Sequence, residues 1–156
     1  MKNQDLKELT KDQHSRSLDF TFTFESSKSP NEIFETLLDA RGWWSGLYSE
    51  KFKGSTDKLN EDFTFNAGGG AHYTKQRLTE LVPDKKIVWL VVESNLNFLK
   101  DPEEWTGTKI CFDISKKENK TEVRFTHEGL VPNLEAYDGC ANAWTKYLQK
   151  LSGNLG

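Results

Sequence analysis

Two residues near the C-terminal end are of types that do chemistry. His127 falls on the inward phase of the alternating stretch Thr121 to Glu128, and Cys140 lies on the apolar side of the helical stretch that follows. A thiol beside an imidazole is the minimum of a nucleophile with its base. No third group that would orient the imidazole is evident. The plainer reading is a satisfied core histidine that orients the strand end, beside a small buried hydrophobe. Glu93, in phase with Trp89 and Val91, is the best candidate for a general acid or base, since burial would raise its pKa. Its plainer reading is a solvated strand end. His14, His72 and His127 are scattered and neither Cys is near a His in sequence, so no zinc spacing exists. No metal or cofactor is expected. Gly68-Gly69-Gly70 would cradle a phosphate only at the start of a following helix. A strand follows instead, so the run reads as a hairpin turn.

The aromatic residues say more. The chain holds 10 Phe, 5 Trp and 4 Tyr among only 35% hydrophobic residues. Ligand sites are mostly apolar, with a few placed polar groups. Trp44, Phe65, Trp89, Phe112, His127, Tyr137, Cys140 and Trp144 are the candidate lining of one such site. The alternative is a core filled solidly with rings.

These residues need elements to hold them. Leu134, Tyr137, Cys140, Ala141, Trp144, Tyr147, Leu148 and Leu151 recur at spacings of three and four, which predicts one long amphipathic helix. Asn133 is its expected cap and Gly153 its expected stop. Leu18 to Glu25 alternates as a strand with one buried face. Ser29-Pro30-Asn31-Glu32 opens a helix as a capping box with proline at the first position, and Arg41-Gly42 ends it. Of the adjacent Trp43 and Trp44, one is expected inside and the other beneath a loop. From Leu47 to Glu128 strand follows strand: Asp62 to Asn66, His72 to Val82, Lys86 to Glu93, Trp105 to Ser115 and Thr121 to Glu128. Short turns imply antiparallel pairing, and helices segregated from strands imply an α+β fold. The expected architecture is a curved antiparallel sheet of about six or seven strands around the C-terminal helix, with two short helices after the first strand.

Length and charge bound the function. The chain has 156 residues and a formal charge of −3, so it reads as one domain without the basic patch that nucleic acid would require. Residues 1–17 are polar and read as a flexible segment, with the domain over 18–153. No apolar run suits a signal peptide or a membrane span, and two distant cysteines suit no disulfide framework, so a cytoplasmic protein is expected.

The Phe-rich strand before Ser29-Pro30-Asn31-Glu32-Ile33-Phe34, the Trp43-Trp44 pair, and Leu78-Thr79-Glu80-Leu81-Val82-Pro83-Asp84-Lys85-Lys86 running into Trp89 form one set of markers. Thr121 to Leu130 and the closing Trp144-Thr145-Lys146-Tyr147-Leu148 complete it. From Leu18 to Leu151 the chain resembles the helix-grip fold of the START-like (SRPBCC) superfamily. Within it, the chain is similar to the branch related to the C-terminal domain of the activator of the heat-shock-protein-90 ATPase. The resemblance implies a cavity between sheet and last helix, and a small apolar or aromatic molecule as its commonest occupant. A chaperone is the alternative partner, in a stress-response interaction domain. A small cyclase-like or hydrolase-like enzyme is a further alternative. The expected state is a monomer or weak dimer. One departure is that Cys140, rather than Trp, follows Gly139, which could leave more open volume.

Overall fold

The alternation that opens the chain makes β1, Phe20–Ser26, whose Phe20 and Phe24 are buried. The computed structural model describes residues 18–156, so the expected flexible segment 1–17 lies outside the described residues. Helix α1, Pro30–Leu38, begins with the capping box: the Ser29 hydroxyl accepts the Glu32 N–H, and the Glu32 carboxylate accepts the Ser29 N–H. Ile33, Phe34, Leu37 and Leu38 turn inward. A second short helix, α2, Ala40–Trp43, follows at once, so Arg41-Gly42 lies within a helical turn rather than ending one.

Strands β2 (Lys51–Gly54), β3 (Asp62–Ala67), β4 (His72–Val82), β5 (Lys86–Leu96), β6 (Lys109–Lys117) and β7 (Lys120–Glu128) complete the sheet. Its order is β1-β7-β6-β5-β4-β3-β2, with every pairing antiparallel. The meander is closed by β1 returning to the edge of β7. Between β3 and β4, Gly68, Gly69 and Gly70 take φ of 62°, 69° and 98°, which explains a run of glycine there. The hairpin turn expected from the sequence is therefore a left-handed turn with one short 3₁₀ segment.

The C-terminal helix α3 spans Tyr137–Leu155. It lies in the concave face with Cys140, Trp144, Tyr147, Leu148, Leu151 and Leu155 buried. Its far end is tied to β1: the Ser26 hydroxyl donates to the Leu155 carbonyl at 2.9 Å, and the Ser27 N–H to that of Gly156.

Several boundaries differ from those read off the sequence. Asn133 does not cap α3, which starts four residues later at Tyr137 with no side-chain cap of its own. Gly153 does not stop it, because the Ser26 and Ser27 contacts hold the last turn in helix through Leu155. Trp105 belongs to a turn, with β6 starting at Lys109, since the Trp105 carbonyl is occupied by the Thr108 N–H and hydroxyl. Trp43 and Trp44 are both interior, 4% and 2% exposed, with rings stacked 6.0 Å apart. The chain leaves helical geometry at Trp44 (φ −94°, ψ 52°), so the alternation expected of a regular element no longer separates the two rings.

Glu93 is outside. The β4–β5 register shifts between Lys75 and Gln76, which pair with Glu93 and Val91, so Val92 is the extra residue of a bulge. The bulge reverses the inward phase. Val91 and Ser94 are buried, while Glu93 is exposed and faces the Tyr73 hydroxyl.

Candidate functional site

A cavity of about 500 Å³ opens between α3, the β3–β4 end of the sheet and two loops. Its shape follows from side-chain size. Ala136, just before the helix, and Gly139, Cys140 and Ala143 within it are spaced three, one and three apart, so a strip of small residues faces the space. A Cβ added at Gly139 would meet nothing within 4 Å. Across the gap stand Trp44, Phe65 and Trp105, and Trp144 of the helix itself packs among them. Trp44 stacks on Phe65 with ring centres 4.0 Å apart, and Trp105 lies parallel to Trp144 at 6.1 Å. These rings stack on one another and form an aromatic floor beside the strip of small residues.

The two loops are fastened to α3 by carboxylates. Glu50 accepts N–H groups from Gly46, Leu47 and Tyr48 and the hydroxyl of Tyr147 at 2.5 Å. Burial works against its charge, but these bonds prevail and hold the carboxyl below the usual range. Burial, with the Glu50 carboxylate next to it, raises the Tyr147 phenol. On the other side, Glu104 receives the N–H groups of Glu135 and Ala136, each at 3.1 Å. Glu135 in turn accepts the Lys100 N–H at 3.0 Å. The start of α3 is thus capped from another segment, which is why its own sequence carries no cap there. Tyr48, Phe98 and Leu99 close the rim, and Phe98 is 57% exposed.

His127 is locked. The Trp144 indole N–H donates to its Nδ1 at 3.0 Å. An indole only donates, so Nδ1 is the acceptor and the proton resides on Nε2. Nε2 lies 2.8 Å from the Thr108 hydroxyl, which donates to the Trp105 carbonyl at 2.6 Å. Gly129, at φ 100°, leaves room for Thr108: a Cβ there would come within 2.8 Å of the Thr108 methyl. Burial, with His72 adding a little, pushes the His127 pKa down to about 3. Both ring nitrogens are engaged and the ring is 0% exposed, so His127 is a positioning element for Trp144 with no free face for a proton. Burial pushes the Cys140 thiol up to about 12 despite the nearby Trp105 N–H. No activated thiol–imidazole pair forms.

The structure brings Trp44, Phe65, Cys140 and Trp144 to the cavity wall and leaves Trp89, Phe112, His127 and Tyr137 away from it. Trp89 donates to the Thr56 carbonyl and packs on Phe63, and Phe112 fits edge-on to Trp43 and Phe125. Phe125 lies 4.6 Å from Trp144, so that side of the helix packs solidly on the sheet. Tyr137 is the first residue of α3, on its partly buried side. Sequence reasoning missed His72, Trp105 and the loop residues Tyr48, Phe98 and Leu99. The small-residue spacing from Ala136 to Ala143 is the signal that could have placed the space.

One part of the interior is not satisfied. Trp43, Trp89 and Trp144 each have an acceptor for the indole N–H. Trp105 Nε1 has no oxygen or nitrogen acceptor and only the weakly accepting Cys140 sulfur beside it, and His72 Nδ1 has no partner in hydrogen-bond geometry. Beyond His72 on the same face of β4, Thr74 Oγ1 and both amide atoms of Gln76 are also unpartnered, and both side chains are 0% exposed. A buried polar group without a partner costs about 1–3 kcal/mol, so these four neighbouring residues are a local cost to this core. Burial pushes the His72 pKa down to about 4, so that ring is neutral near pH 7. Among the described residues, no group of three or more His, Cys, Asp or Glu side chains is placed to hold a metal ion. No helix among them is long and apolar enough to cross a membrane.

Known structures share this architecture. The Aha1 dimer from Colwellia psychrerythraea is 26% identical, with a TM-score of 0.67 over 88% of this chain and 95% of that one. Protein CV1439 from Chromobacterium violaceum is 17% identical, with a TM-score of 0.65 over 87% and 96% of the two chains. CalU16 from Micromonospora echinospora is 10% identical, with a TM-score of 0.60 over 87% and 74%. At that distance the last two show the fold alone, a curved antiparallel sheet gripping the C-terminal helix. No curated protein matches the chain. The model of the family described as Activator of Hsp90 ATPase homolog 1-like protein matches residues 27–156. With most of the chain matched and the helix-grip architecture in place, the chain belongs to the Activator of Hsp90 ATPase homolog 1-like family.

Proposed function

We propose that this domain binds a small apolar or aromatic molecule between α3 and the β3–β4 end of the sheet, and holds it without transforming it. The observation that carries this reading is the cavity of about 500 Å³ with an aromatic floor and a small-residue wall. That volume lies within the range of small-molecule sites, and such sites are largely apolar and pre-formed. Binding without transformation is supported by the state of the candidate catalytic groups: His127 is fully engaged, Glu93 is outside and Cys140 is held as a thiol.

The test is a panel of flavonoids, fatty acids and lipids followed by thermal shift and native mass spectrometry. Tryptophan fluorescence gives a third readout, because Trp44, Trp105 and Trp144 line the space. A bound mass with a matching thermal shift and fluorescence change is expected for at least one apolar class. No bound mass and no fluorescence change across the panel overturns the reading.

A second reading, a chaperone-regulator interaction domain, is favoured by the 26% identity to the Aha1 dimer. Stimulation of a heat-shock-protein-90-class ATPase by the purified chain supports it. Failure both to stimulate and to co-purify removes it.

A further inference from the structure

The unpartnered polar atoms are not scattered through the core. His72, Thr74 and Gln76 occupy alternate positions of β4, so their side chains share the inner face of the sheet. Trp105 stands edge-on to His72 with ring centres 4.7 Å apart. His72 and Trp105 both line the cavity, while Thr74 and Gln76 continue the row beneath the rings. Thr74 pairs with Phe65 and Gln76 with Phe63 on the neighbouring strand, so the row is bordered by apolar rings that offer no hydrogen bond. The His72 and Trp105 atoms face the cavity and are open to what enters it, whereas Thr74 and Gln76 behind them can be reached only through water.

We infer that the occupant of this cavity is an uncharged molecule carrying a hydrogen-bonding oxygen, a hydroxyl or carbonyl, which is received at the His72–Trp105 end of the polar row. This rests on reading the cavity as a ligand site. The oxygen accepts from the Trp105 N–H, and a hydroxyl also donates to the imidazole. Ordered water between the oxygen and the row extends the network to Thr74 and Gln76. The wall carries no Lys or Arg, and its one carboxylate, Glu135, is already engaged by the Lys100 N–H. A carboxylate or phosphate ligand would lose its hydration with no cation to replace it. The aromatic floor takes the apolar body of the ligand, and the row selects among apolar bodies by what they carry at one end.

Three probes of one shape test this: naphthalene, 2-naphthol and 2-naphthoate, titrated near neutral pH by calorimetry against the full chain. With one to two hydrogen bonds at stake, 2-naphthol is expected to bind about tenfold or more tighter than either of the others. Trp105→Phe keeps an aromatic ring and removes the N–H, and Gln76→Leu removes the amide at nearly constant volume. Each is expected to reduce the preference for 2-naphthol over naphthalene, read as the ratio of the two affinities within the same variant. Thermal melts establish that each variant is folded, and Gln76→Leu is expected to be at least as stable as the parent. Equal affinity for naphthalene and 2-naphthol, or tightest binding of 2-naphthoate, overturns the inference and leaves the cavity as a ligand site. An undiminished preference for 2-naphthol in both folded variants also overturns it. Absence of binding by all three overturns the inference, while the wider panel decides the broader reading separately.

Discussion

The indole N–H of Trp144 ends on Nδ1 of His127 at 3.0 Å, and that bond determines what both residues can be. It commits the imidazole to one neutral tautomer, with Nε2 directed to Thr108. It also holds the Trp144 ring against Phe125 on one side and the cavity on the other. A histidine that resembles a base in the sequence is here a bracket for the cavity floor.

Trp144→Phe removes the indole donor to Nδ1 and leaves a buried acceptor unpaired. A loss of about 1–3 kcal/mol of folding stability is expected, with some addition for the volume removed. Urea unfolding measures it, and unchanged stability contradicts the bond's role.

His72 and His127 have pKa values pushed down by burial to about 4 and about 3, against an ordinary value near 6.5. The unfolded chain therefore binds protons that the folded chain refuses. Their contribution is fully present above about pH 6.5 and is lost as pH falls from there toward the folded values. Between pH 7.5 and 5.5 the two together should lower the unfolding free energy by about 2–3 kcal/mol, since one pKa unit corresponds to about 1.4 kcal/mol. Urea midpoints at three pH values check this. A flat profile above pH 5 contradicts burial of the two rings in neutral form.

Glu104→Ala removes the acceptor for the Glu135 and Ala136 N–H groups at the start of α3. A loss of about 0.5–2 kcal/mol is expected, as for an N-cap. Amide exchange should rise at the start of α3 and in the loop around Lys100, while α1 is unaffected. Exchange confined to the mutated residue would show that the carboxylate does not join the two segments.

Gly139→Leu places a side chain in open space on a helix where glycine is unfavourable. Stability should hold or rise by up to about 1 kcal/mol. Binding of any cavity ligand should fall sharply. Retained ligand affinity in this variant would move the site elsewhere.

Much of the architecture was legible in local pattern. The capping box at Ser29, the alternation of β1 and β7 and the spacing of the α3 stripe are short-range signals, because each depends on neighbours within about one turn or one pleat. The candidate site was legible only in part. Trp44, Phe65, Cys140 and Trp144 face one space, but Trp89 and Phe112 have the same residue types and the same inward phase and are enclosed by other rings. Inward phase specifies which side of the sheet a ring occupies and carries no information about what lies across from it. Glu93 takes its plainer reading, exposed, for a reason no single strand carries: the bulge at Val92 belongs to the pairing of β4 with β5.

By itself, the sequence determined the sheet, the grip of the last helix and the strip of small residues that leaves a gap. Those follow from periodicity and side-chain volume, which are properties of each segment. Only the tertiary structure decided where α3 begins, because its cap is a carboxylate from a loop 31 residues earlier, and whether His127 is free, because its partners lie on other segments. It also decided that the polar face of β4 runs inward from the cavity wall, with its hydrogen bonds still open. Burial and hydrogen-bond partnership arise from packing between distant segments, so no single stretch of the chain contains them.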